Sequence, residues 1–151
     1  MTMSLQSQIK NMKLLTDLLS QDLGYIYGEK ESGPNGAKKQ FHSTGRAFLS
    51  ALGKDLGFAE QKVYSNKAGI ACSGEVTLMG MWNEKSGLYI QLRQDLMDNI
   101  CILYRSITHL RDYTGGENGY ISLDTLKQAG YISLVFGFLQ FREKFYDRRA
   151  A

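Results

Sequence analysis

The sequence predicts an α+β fold, a mainly antiparallel sheet of three to four strands flanked by two N-terminal and two C-terminal helices. Three observations carry that prediction. Residues 70–93 alternate with period two and read as a central hairpin. Apolar residues recur at helical spacing on both sides of it. After it, Asn99 to Ile107 is rich in β-branched and aromatic residues, which favour strand.

Leu5, Ile9, Met12, Leu15, Leu19 and Leu23 fall on one helical stripe, with Ser4 as a start signal and Gly24 as a stop. The stripe is expected to pack on the domain; a dimerising helix is the rival reading. The segment at about 28–37 holds Gly28, Gly33, Pro34, Asn35 and Gly36 and reads as a mobile loop. It lacks the spacing of a phosphate-binding loop, and no strand precedes it. A second helix follows from about Lys39 to Leu56, with Phe41, Phe48, Leu52 and Leu56 on one face and Gly57 closing it. Ser43 is an alternative cap for a shorter helix. Gly45 and Gly53 each weaken it by about 1 kcal/mol relative to alanine, so close packing on the sheet is the expected reason for them.

Lys62–Ser65 reads as a short edge strand, and Asn66–Gly69 as a turn. Along the hairpin, Ile70, Cys72, Gly74, Val76, Leu78, Gly80 and Trp82 share one parity. Ala71, Ser73, Glu75, Thr77, Met79 and Met81 share the other. Asn83–Gly87 is a loop of hairpin length. The return strand puts Leu88, Ile90 and Leu92 inward, and Tyr89, Gln91 and Arg93 outward. A slip of one residue would turn Glu75 and Arg93 into the core.

The stretch 95–111 has two readings. One is a strand over Asn99–Arg105, apolar on both faces, followed by a turn or short helix through Asp112. The other is a single helix carrying Leu96, Ile100, Leu103, Ile107 and Leu110. The strand is favoured. Tyr113–Tyr120, with its paired glycines and Asn118-Gly119, reads as loop. Ser122 caps a short helix that Gly130 stops. Tyr131, Leu134, Val135, Phe138, Arg142 and Phe145 then define a final helix with a basic end.

The chain has 151 residues, 43% of them hydrophobic, and this bounds it to one globular domain over 1–151. Eighteen basic against fifteen acidic residues give +3, which permits a polyanionic partner without arguing for one. Two cysteines without C-x-x-C and two histidines do not make a metal site, and no cofactor motif is present. Cys72 and Cys101 read as buried thiols, which suits a cytoplasmic protein; a disulfide between facing strands stays open. No segment approaches 18 uninterrupted apolar residues, and no secretory signal is expected.

No segment carries a recognisable reaction. Cys72 or Ser43 with His42 or His109 and Asp112 lack a local signature of nucleophilic catalysis. Asp95 and Asp98 suit a turn or helix start as well as paired-carboxylate hydrolysis. Two surfaces stand out. The first is the hairpin tip, where Met79 and Met81 take the polar parity beside Trp82, and a bulge at Gly80 could redirect one of them. Exposed Met and Trp grouped at a rim are typical of protein interfaces. The second is a sheet face with Tyr89, Gln91, Arg93 and Arg105, extended by Lys62 and Arg111, of a kind that stacks bases and holds phosphates. The expectation is a non-enzymatic module that binds a protein partner stoichiometrically, or self-associates as a homodimer, through the tip. The alternatives are nucleic-acid binding through the basic face and a small hydrolase or transferase.

Overall fold

In the computed structural model the described residues are 5–19, 37–66, 75–94, 100–112 and 116–150. The elements run α1 (Leu5–Leu19), α2 (Ala37–Leu56), β1 (Glu60–Asn66), β2 (Glu75–Met81), β3 (Gly87–Gln94), β4 (Ile100–Ile107), β5 (Gly119–Ile121) and α3 (Leu123–Ala150). The architecture is α+β, as the alternation and the helical stripes predict. Residues 28–36 of the expected loop, residues 70–74 of the hairpin, Ser4, Leu23, Gly24, Cys72, Asp95, Asp98 and Gly115 lie outside the described residues, whereas Ala37, expected to end the loop, begins α2.

All strand pairings are antiparallel, and the strand order follows the chain, β1-β2-β3-β4-β5. The sheet therefore has one strand more than the upper count expected. The addition is β5, which pairs Gly119–Ile121 with Ile102–Tyr104 inside a segment read as loop. Its glycine serves close approach, because a Cβ at Gly119 would strike the Tyr104 ring. Ile100–Ile107 is a strand, so the single-helix reading of 95–111 is excluded over that range.

The hairpin register opposes Val76 to Leu92, Leu78 to Ile90 and Gly80 to Leu88, which is the predicted parity. These residues face the helices, and Val76, Leu78, Leu88, Ile90 and Leu92 join one core with Phe41, Phe48, Leu49, Leu52, Val135 and Phe138. The β1–β2 and β2–β3 registers are unbroken through Gly80, so the bulge considered there is absent. Glycine is needed at this position for space, because a Cβ would lie 2.1 Å from the Phe58 ring. Gly45 likewise lets α2 approach the sheet, its virtual Cβ being 3.1 Å from Val76 Cγ2.

Ser122 caps α3 as expected: its Oγ accepts from Thr125 N at 3.2 Å, and its carbonyl from Leu126 N at 3.0 Å. Gly130 interrupts the helix with φ 76°, a conformation that L side chains rarely adopt. The predicted stop and restart at Gly130 is thus a break inside one long element.

In α1 the buried stripe is Asn11, Leu15 and Leu18. Ile9 and Met12, expected to face the core, are 61% and 45% exposed. The reason is polar. Asn11 and Ile9 sit about 200° apart around a helix, so both cannot point inward. Asn11 wins because Asp55 on α2 and Tyr131 on α3 hold it.

Candidate functional site

The hairpin tip is not an exposed rim. Met79 is 0% exposed, and Met81 and Trp82 are also buried. Met79 and Met81 form a small cluster with Ile107, joined by Tyr64, Tyr89 and Leu110. Leu110 comes from the turn after β4, which Asp112 organises by accepting from Thr108 N at 3.1 Å. Trp82 belongs to the helix side. Its Nε1 donates to Leu56 O at 2.7 Å, one of the carbonyls that α2 leaves without a helical partner at its C-terminus. Its ring packs on Phe58 with centroids 4.9 Å apart, and the Arg142 guanidinium lies over it at 4.8 Å. Trp82 therefore ties α2, β2 and α3 together instead of facing a partner.

The basic sheet face is only partly available. Lys62 and Arg111 are exposed, and Tyr89 and Arg93 are half-buried, but Gln91 and Arg105 are buried. Arg105 stacks 4.2 Å over the Tyr89 ring and donates to Asp112 O at 3.1 Å. Gln91 donates to Tyr89 OH at 2.8 Å and to Thr77 Oγ1 at 3.4 Å. Lys62 lies 5.1 Å over the Tyr64 ring. The guanidinium and the aromatic ring expected to meet a nucleotide are engaged with each other.

The groups considered for catalysis are dispersed. His42 is buried edge-on against Phe41, and exposed His109 meets Thr108 Oγ1 at 3.1 Å. Ser43 is exposed on α2, and Asp112 is committed to its turn. Cys101 is buried on β4. Among the described residues, no group of three metal-ligating side chains is present. No helix there is long and apolar enough to cross a membrane.

A buried polar knot lies between the helices. Asp55 accepts from Ser7 Oγ at 2.9 Å, from Asn11 Nδ2 at 2.5 Å and from Tyr131 OH. Asn11 Nδ2 also reaches Tyr131 OH at 3.1 Å. Burial first, then the hydrogen bond to Asp55 and the nearness of its charge, push the Tyr131 phenol far above its ordinary value. The knot joins three helices and is closed to solvent, so its role is to set how α1 sits. Its sequence trace was an Asn and an Asp at inward helical positions, a signal the apolar stripes outweighed.

Setting α1 in this way leaves apolar surface outside. A groove of about 430 Å³ runs between α1 and α3, lined by Met12, Leu15, Thr16, Leu126, Lys127 and Tyr131 around the Gly130 break. Ile9 stands one turn before Met12. Further along α3, Ile132 and Phe136 are exposed one turn apart, Phe136 by 56%. Lys127 borders the groove, and Lys13, on the outer side of α1, pairs with Asp17 at 3.8 Å. The chain matches no family model, no curated protein and no solved structure.

Proposed function

We propose that this protein is a stoichiometric binding module for another protein, which it takes up as an amphipathic helix laid along the groove between α1 and α3. The supporting observation is the orientation of α1. A buried polar knot turns Ile9 and Met12 outward, at the cost of leaving apolar surface in water. The groove volume falls within the range of ligand clefts, and helix-in-groove docking uses apolar anchors at i, i+3 and i+4. Lys127, which borders the groove and is exposed, favours an acidic flank on the incoming helix. A cytoplasmic setting suits the buried thiol of Cys101.

The test is a heteronuclear NMR titration with a designed acidic amphipathic peptide, alongside its charge-reversed counterpart. The acidic peptide is expected to move resonances of α1 and of residues 126–137, and to bind more weakly as salt is added. Met12→Glu should abolish the effect. Absence of shifts with either peptide, or shifts confined to the sheet, would sink the reading.

A further inference from the structure

The two edges of the sheet are built differently. At one edge β5 has three residues, too short to template a partner strand. At the other, β1 has seven residues, Glu60-Gln61-Lys62-Val63-Tyr64-Ser65-Asn66, with neither proline nor glycine. Its register with β2 runs unbroken from Glu60–Met81 to Asn66–Glu75. No strand pairs with its outer side among the described residues. A regular strand in that position presents a row of outward N–H and C=O groups. Natural sheets blunt such edges with bulges, prolines, brevity or charged side chains, lysine above all; β1 has none of the first three, and its lysine, Lys62, lies 5.1 Å over the Tyr64 ring of the same strand.

We infer that β1 pairs with β1 of a second copy of this chain, antiparallel about a two-fold axis through Val63, so that two five-stranded sheets join into one. Opposed residues in an antiparallel pair point to the same face. The axis must therefore pass through a residue position if both sets of helices are to stay on one side. Centring it on Val63 uses all seven residues. Lys62 then opposes Tyr64 of the second copy, Gln61 opposes Ser65, and Glu60 opposes Asn66. No directly opposed pair carries like charges, and Lys62 meets in the second copy the same ring it covers in its own, at 5.1 Å. Above the edge, α2 is fastened to β1 by Arg46 Nη1 donating to Ser65 Oγ at 2.6 Å and by Gln61 Nε2 donating to Ser50 O at 3.2 Å. Ser43, Ala47 and Ser50 of α2 are small and at least partly exposed on the face that also carries Arg46. This pairing is independent of the α1–α3 groove.

Sedimentation equilibrium is expected to show a reversible doubling of mass with rising concentration. Tyr64→Lys opposes two lysines across the axis and should return the chain to monomer. Adding Lys62→Glu to that variant restores opposite charges and should bring the dimer back. Register is read by cross-linking in a Cys72→Ser background. Val63→Cys should form a disulfide-linked dimer on oxidation, whereas Gln61→Cys alone should not. Gln61→Cys mixed with Ser65→Cys should link as Val63→Cys does. Phe136→Glu, on the groove side, should leave the dimer intact, which separates this pairing from helix uptake. A chain that stays monomeric at all accessible concentrations overturns the inference, as does a dimer that survives Tyr64→Lys and fails to cross-link through Val63→Cys.

Discussion

On the helix side of the sheet, Val76, Leu78, Ile90 and Leu92 meet apolar side chains from α2 and α3. On the other side, Thr77, Met79, Gln91 and Arg105 are just as buried, yet their neighbours are tyrosines, a methionine cluster and a turn. The first face is closed by separate elements brought to it. The second is closed in part by its own long side chains, with Arg105 over Tyr89 and Lys62 over Tyr64. The difference teaches that period-two alternation tells which residues share a face and does not tell whether that face meets water.

Removing the acceptor at the centre of the helix layer should have the largest effect on this comparison. Asp55→Ala leaves the buried donors of Asn11 and Tyr131 without their carboxylate, at roughly 1–3 kcal/mol for each, and removes the acceptor of half-buried Ser7. A loss of about 4 kcal/mol is expected in urea unfolding. Met79→Ala probes the second face and should cost about 3 kcal/mol, as a cavity in a packed core does. A cost below about 0.5 kcal/mol, typical of surface sites, would show that this face is open. Trp82→Phe keeps an aromatic ring, though a smaller one, and deletes the donor to Leu56 O; it should cost at least about 1 kcal/mol with the hairpin retained. Arg105→Lys replaces the guanidinium over Tyr89 by a point charge and should cost no more than about 1 kcal/mol in the same assay.

A pH experiment sharpens the helix-side half of the comparison. The Tyr131 phenol is raised above its ordinary value near 10 by burial and by Asp55. The folded state therefore holds that proton more tightly than the unfolded chain does. The contribution is fully present below pH of about 10 and is lost as pH rises above it. Melting temperature should fall more steeply on the alkaline side in the wild type than in Tyr131→Phe. Identical slopes would show that Tyr131 titrates freely.

Much of this architecture was legible because local signals agreed with global packing. The hairpin parity, the β4 assignment, the Ser122 cap and the Gly130 break each rest on a pattern only a few residues long. Three features were not legible, for different reasons. Three-residue β5 offers too few positions for alternation to register, and Asn118-Gly119 reads as a turn whether or not a strand follows. Burial of Met79, Met81 and Trp82 depends on Leu110, Leu56 and Phe58, which lie far from at least one of them in sequence. The outward turn of Ile9 and Met12 depends on Asp55 and Tyr131, 44 and 120 residues from Asn11. A stripe of leucines cannot reveal that a polar contact so distant fixes the rotation of its helix.

The sequential strand order has a kinetic consequence. Each strand finds its neighbour next along the chain, so the meander assembles from local pairings with little loop-closure cost. The Asn11–Tyr131 contact instead closes most of the chain into a loop. Folding should run from the centre outward, with the sheet and α2 forming early and the first and last helices meeting late. Substitutions in β2 and β3 should then slow refolding, whereas those in the Asn11–Asp55–Tyr131 knot should chiefly speed unfolding.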